Sequence, residues 1–140
     1  MPMNNHGLLL DTHVWIWLML GEKLNVKAQT LIEKHAESGH LFISCISLWE
    51  VSMLAAKNKI HLDRPCNEWI TAALNEPQIN LITLTPSIAV ESAYLPGEFH
   101  GDPADRIIVA TARIEVLTLL TRDEKILSYS NNKYLNAVSV

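Results

Sequence analysis

The sequence predicts an α/β fold in which a parallel sheet carries helices on both faces. Three observations support this. Short apolar runs, such as residues 7–10 and 41–45, alternate with amphipathic segments of about ten residues, the pattern of β–α crossovers. Several of those segments open on a recognisable helix cap. Asp11, Glu50 and Asp123 stand where a strand-like run gives way to a helix start, and Asp105 begins a further helix, so four acids converge on the edge where parallel sheets carry ligand sites.

In order along the chain, residues 7–10 are too short for a helix and read as a buried strand ending at Asp11. Thr12 is the expected N-cap of a helix that carries Val14, Trp15, Leu18 and Met19 and ends near Gly21. A second helix covers 26–36, with Ala28, Leu31, Ile32 and His35 inward, and Ser38-Gly39 stops it. Residues 41–45 form the next strand. They lead into Ser47-Leu48-Trp49-Glu50, an S-x-x-E capping box opening a helix with Val51, Leu54 and Ala55. Residues 57–65 read as a polar turn of basic character, and 68–74 as a short helix burying Trp69, Ile70, Ala73 and Leu74 until Glu76-Pro77 stops it.

Residues 79–84 alternate as a strand open on one side would, and Thr85-Pro86 caps a helix through Ile88, Ala89 and Ala93. The loop 96–101, holding Gly97 and Gly101, reads as a mobile rim. Asp102-Pro103-Ala104-Asp105 then supplies a cap, a proline at N1 and a carboxylate at N3, which is how a buried helix begins. Residues 116–120 form a third apolar strand, Thr121-Arg122-Asp123-Glu124 caps a last helix through Ile126 and Leu127, and 137–140 suit a short edge strand.

With 140 residues, 49% of them hydrophobic and 19% charged, the chain is expected to fold as one domain over 1–140. No basic region precedes Leu8-Leu9-Leu10, and the longest apolar stretch, 14–20, is too short to cross a bilayer, so neither a secretory leader nor a membrane span is expected. Cys45 and Cys66 form no C-x-x-C pair, which points to a reduced, cytoplasmic setting. A formal net charge of −4 argues against unspecific binding to a polyanion. That argument weakens if the acids hold metal, because two divalent ions offset about four charges.

Each acid alone has a structural explanation, since a first-turn carboxylate gains about 0.3–1 kcal/mol from the helix dipole. Together they would repel one another at a buried sheet edge unless protonated or bound to metal. Hard oxygen donors without a His or Cys set select Mg2+ or Mn2+ over zinc. Such a site suits phosphodiester hydrolysis, in which two ions activate a water and stabilise the leaving oxygen. Arg106 and Arg122 flank the acids and can contact phosphate, with a surface ion pair as the competing role. Thr12 and Thr121 can hydrogen-bond a ligand water or carboxylate, although capping is the simpler role for Thr12.

Four segments, in order, carry a family resemblance: Leu9-Leu10-Asp11-Thr12-His13; Ile46-Ser47-Leu48-Trp49-Glu50-Val51; Gly101-Asp102-Pro103-Ala104-Asp105-Arg106 with its apolar continuation to Ala112; and Thr121-Arg122-Asp123-Glu124-Lys125-Ile126-Leu127. The chain resembles the PIN-domain ribonucleases, and among them the VapC-type toxins of type II toxin–antitoxin systems. The resemblance implies a three-layer α/β/α sandwich on a central parallel sheet of about five strands. It further implies a Mg2+- or Mn2+-dependent endoribonuclease, with an RNA substrate, a cognate antitoxin, a homodimer and no membrane. Carried over motif by motif, Asp11, Glu50, Asp105 and Asp123 are its catalytic and metal-binding acids, with Asp102 an outer participant.

The six histidines include no H-x-x-x-H pair, which speaks against zinc, and His100 on the rim is the one nearest the acids in sequence. Trp15, Trp17, Trp49 and Trp69 can stack bases, but Trp15, Trp49 and Trp69 lie on apolar stripes and read as core. Trp17 lies off its stripe and suits a partner helix or dimer seam. Lys57, Lys59 and Arg64 can guide RNA from their loop or simply be solvated. Two further functions compete with the nuclease. One is a non-catalytic PIN-like module that binds protein or RNA and keeps the acids for structure. The other is a phosphoacceptor receiver domain, which normally wants adjacent acids after its first strand, whereas Asp11 stands between Leu10 and Thr12.

Overall fold

Leu8, Leu9 and Leu10 are fully buried and make β1 (Leu8–Leu10), the central strand of a five-stranded sheet ordered β3-β2-β1-β4-β5. The computed structural model describes residues 7–22, 24–75 and 77–140; the readings made on 1–6, His6 among them, and on Glu76 lie outside the described residues. β1 pairs in parallel with β2 (Leu41–Ser44) through Leu8–Leu41 and Leu10–Ile43. On its other side it pairs with β4 (Thr118–Thr121) through Leu8–Thr118 and Leu10–Leu120. The parallel edge strands β3 (Asn80–Ile82) and β5 (Ala137–Ser139) complete the sheet.

Because side chains alternate across a strand, β1 feeds two cores. Leu8 and Leu10 join Leu41, Ile43 and Leu120 beneath α1 (Thr12–Met19), α2 (Val26–Ser38), α3 (Cys45–Ala56) and α4 (Cys66–Ala73). Leu9 and Leu119 face the opposite layer of α5 (Pro86–Ala93), α6 (Pro103–Glu115) and α7 (Glu124–Asn131), whose Ile88, Ile108, Val109 and Ile126 fill the second core. The result is the expected α/β/α sandwich, with Trp15 and Trp69 in the first core at a 5.5 Å ring separation.

Several local expectations are corrected. Trp49 does not join a core: its side chain is 55% exposed, because α3 turns that face outward while Val51 points in. α3 starts at Cys45, capped by Ser44, whose hydroxyl accepts from the Ile46 N–H at 3.2 Å. Ser47 is therefore the third helical residue and not a cap, and Glu50 lies nearly a turn deeper than a capping box would put it. Asp11 and not Thr12 occupies the N-cap of α1, its side chain accepting from the Thr12 N–H at 2.8 Å.

The loop 96–101 is pinned, contrary to its reading as a mobile rim. The Tyr129 hydroxyl donates to the Pro96 carbonyl at 2.6 Å, Arg106 donates to the carbonyls of Ser92 at 2.8 Å and Phe99 at 2.7 Å, and Phe99 itself is buried. Gly101 packs so tightly that a Cβ there would overlap the Phe99 ring and lie 2.8 Å from the Asp105 Cβ. Gly101 thus serves close packing, while Gly97, at φ 68, also supplies a backbone conformation that other residues rarely adopt.

Strand β4 begins at Thr118, not at residue 116, because Val116 ends α6 in the left-handed region, at φ 56 and ψ 57. A β-branched residue is strained there and glycine is not. Val116 is exposed, so Val116→Gly removes little packing. We expect this substitution to stabilise the protein by about 0.5–1 kcal/mol, read as a higher midpoint in thermal or urea unfolding.

Candidate active site at the carboxyl edge of the sheet

The chain leaves β1 toward β2 and β3 on one side and later returns to β4 and β5 on the other. The carboxyl ends of β1 and β4 therefore bound the point where strand order reverses, the usual place for a ligand crevice in such sheets. Asp11 directly follows β1, and Asp123 lies two residues beyond Thr121, the last residue of β4. The start of α6 brings Asp102 and Asp105, and α3 brings Glu50 from the β2 side. The structure gathers these five acids, with His13, Trp17 and Arg122, around one cleft of about 420 Å³.

Each acid is set by a local device. Asp102 caps α6, its Oδ1 accepting from the Asp105 N–H at 2.8 Å, and Pro103 at N1 fixes the entry. Asp123 caps α7 through the Lys125 N–H at 2.8 Å; it is the cap itself and not a first-turn residue. With Asp11 capping α1, three helix N-termini open on the cleft, and their dipoles offset part of the repulsion among the carboxylates.

Two buried hydroxyl networks hold the inner acids. The Thr121 hydroxyl donates to Asp11 Oδ2 at 2.6 Å and accepts from the Asp123 N–H at 3.0 Å, joining the ends of β1 and β4. Thr12 donates to Glu50, which leaves Ser47, 2.7 Å from the Thr12 hydroxyl, to donate to Thr12. Thr12 thus orients an acid in place of the capping role expected for it. Ser47 was read only as a cap, and its place below Glu50 follows from the helical i, i+3 spacing once the true helix start is known.

The electrostatics record the crowding. Burial chiefly, and then the charges of Asp102, Asp11, Asp123 and Glu50, push the Asp105 carboxyl up to about 7. Burial also raises Asp11, against the pull of the Thr121 and Thr12 hydrogen bonds, and raises Glu50 against the hydrogen bond from Thr12. A cation among these carboxylates would favour their ionised forms and lower all three again. Among the described residues no three His, Cys, Asp or Glu side chains are grouped so as to hold one metal ion as they stand. An open cleft of carboxylate oxygens instead fits small hard cations that retain several waters, as Mg2+ does. In donor chemistry, hard carboxylate oxygens, the cleft suits the metal expected from the sequence.

Not every expected participant reaches the cleft. Arg106, expected to be able to reach phosphate, spends its guanidinium on the carbonyls of Ser92, Phe99 and Ala93 and anchors the loop before α6. Arg122 does line the cleft, but over the Trp17 ring, its guanidinium carbon 4.3 Å from the ring centre. Trp17 is half-buried beside the acids and is not an exposed seam. His100 lies outside the cleft. Arg64 pairs with Asp63 at 3.1 Å and lines a larger groove of about 590 Å³ between α3 and α4, which contains no carboxylate. His13 and Trp17 were missed as site residues, although their i, i+4 spacing after Asp11 placed them on one face of α1.

The Thr121 hydroxyl gives a direct test. Thr121→Val keeps the volume and removes the donor to Asp11, so the Asp11 carboxyl will rise further and divalent affinity will fall about 10- to 100-fold. Titration calorimetry with Mn2+ measures this, and an unchanged affinity would show that the hydroxyl does not tune the acid.

Comparison with known proteins agrees with this architecture. The PIN domain family model matches residues 8–132. Ribonuclease VapC22 of Mycobacterium tuberculosis is 35% identical over 123 residues, covering 87% of this chain and 91% of that protein. Among solved structures, the VapBC2 complex of Rickettsia felis bound to a promoter DNA fragment superposes with a TM-score of 0.68 at 16% identity, covering 94% of this chain and 97% of that one. FitAcB of Neisseria gonorrhoeae gives 0.64 at 20% identity, covering 93% and 95%. A toxin–antitoxin complex of Klebsiella pneumoniae gives 0.56 at 26% identity, covering 84% and 87%. With the match running from β1 into the end of α7, and a relative alike over nearly its whole length, the chain belongs to the PIN domain family.

Proposed function

We propose that residues 1–140 form a single PIN domain acting as a Mg2+- or Mn2+-dependent endoribonuclease, the toxin of a toxin–antitoxin pair. It works in the cytoplasm as a homodimer and is held in check by a cognate antitoxin. The observation that carries the catalytic reading is the convergence of Asp11, Glu50, Asp105 and Asp123 on one cleft at the switch point of the sheet. The similarity to a protein named as a ribonuclease supports RNA as substrate, and the toxin–antitoxin complexes among the structural neighbours support the antitoxin. No helix among the described residues is long and apolar enough to cross a membrane.

Asp11, Glu50, Asp105 and Asp123 would hold the divalent ions, which supply an acidified water and charge stabilisation at the leaving oxygen. The protein's own groups prepare that chemistry. Asp105 carries a proton near neutrality and must release it before serving as a ligand. Thr121 and Thr12 fix the oxygens of Asp11 and Glu50, so the donor set is arranged in advance. Among the described residues Arg122 is the one Lys or Arg side chain that lines the cleft, and it is available to a phosphate.

The test is direct. The purified chain should cut RNA with Mg2+ or Mn2+, stop with EDTA, and lose the activity in Asp105→Asn. Cleavage that survives EDTA and this substitution would remove the assignment. A non-catalytic module would bind without cutting.

A further inference from the structure

The acid cleft has one wall that is not acidic. Besides its five carboxylates, it is lined by His13, Trp17 and Arg122 alone among the described residues. His13 and Trp17 lie one turn apart on α1, their ring centres 6.1 Å apart and tilted by 50°. Arg122 is exposed, yet among the described residues it forms no ion pair with any of the surrounding acids. It lies over the indole of Trp17 instead. Trp17 is also packed against the first core, so the indole is a fixed surface and Arg122 a movable cover.

We propose that Trp17 and Arg122, with His13 at their edge, form a stacking platform for an unpaired nucleobase beside the scissile phosphate. This rests on the nuclease reading of the cleft. Once divalent ions offset the carboxylates, charge draws any strand equally, so choosing among strands needs affinity that does not come from phosphate. Base faces supply it: every base presents a π surface, and tryptophan and arginine planes are the side chains that stack on it. A paired base hides that surface within its helix, so the platform selects strands that are unpaired at the cut. Trp17 and Arg122 thereby determine specificity, beside acids that do the chemistry.

The test uses two fluorescein-labelled ten-nucleotide unpaired RNAs, one of mixed sequence and one with abasic ribose throughout. Binding is read by anisotropy with Ca2+ replacing Mn2+ to slow hydrolysis. The wild-type chain should prefer the base-bearing strand. Trp17→Leu, which keeps an apolar side chain against the core, should reduce that preference about 5- to 100-fold, and Trp17→Phe should retain most of it. A preference unchanged in Trp17→Leu, or absent in the wild type, overturns the platform. A general loss of binding to both strands also counts against it, since that reports damage to the fold. Mn2+-dependent cleavage of RNA by the wild type is measured separately, so failure of the nuclease reading shows there and failure of the platform shows in the binding ratio.

Discussion

Asp105→Asn will lower the rate of Mn2+-dependent RNA cleavage by about 10²–10³-fold while leaving the fold intact. The size follows from the few kcal/mol that one well-placed electrostatic group contributes to a transition state, at about 1.4 kcal/mol per factor of ten. The fold should survive because the helix start does not depend on the Asp105 side chain. The cap bond runs from the Asp105 N–H to Asp102, and Pro103 fixes the entry independently. Initial rates on an RNA substrate, with circular dichroism as the control, measure both halves. A rate within twofold of wild type would show that Asp105 does not take part in the reaction.

The metal-free protein will become less stable as the pH rises from about 4 to 7. Asp105 has its carboxyl raised from an ordinary 3.8 to about 7 in the folded chain. Between those values the folded state holds a proton that the unfolded state has released. Stability therefore falls with rising pH and levels off above 7. Asp11 and Glu50 are raised by burial and act in the same direction. Because Asp105 is only half-buried, solvent screening reduces its share to roughly 1–2 kcal/mol, or about 3–7 °C in melting temperature for a chain of this size. Asp105→Asn should flatten the slope and leave the metal-free chain more stable than wild type at pH 8. Adding Mn2+ to the wild type should recover stability at the same pH. Melting curves at several pH values decide it: a wild-type slope that matches the Asp105→Asn slope would show that this carboxyl is not perturbed.

Much of the architecture was legible because it is encoded locally. Pro103 after Asp102, Thr85 before Pro86 and Gly39 after α2 act within a turn of where they stand, and the structure places those helix ends where the sequence put them. The convergence of Asp11, Asp105 and Asp123 was legible for a related reason, since each lies at a helix start or next to a strand end, whereas Glu50 lies deeper in α3. What the sequence hid depends on distant partners. Ser47 reads as the cap of α3 from its spacing to Glu50, and the true cap, Ser44, becomes visible only when Thr12 takes up the Ser47 hydroxyl. Arg106 looked free until the carbonyls of the preceding loop surrounded it, and Trp49 looked like core because its stripe gives no sign of which neighbour is missing. Val116 extended an apolar run by composition, while its backbone turns the other way.

The bond from Thr121 to Asp11 joins residues 110 positions apart. Contacts of such separation form late, since most of the chain must be ordered before the two ends meet. During synthesis, β1 waits beside β2 with one edge unpaired until residues 118–121 emerge and close it. The cleft therefore assembles from segments that are made far apart in time. A ribosome-bound fragment that stops short of β4 holds Asp11, Glu50 and Asp105 but lacks both Asp123 and the hydroxyl that orients Asp11. Any activity housed in this cleft thus appears only once β4 and the start of α7 have been made.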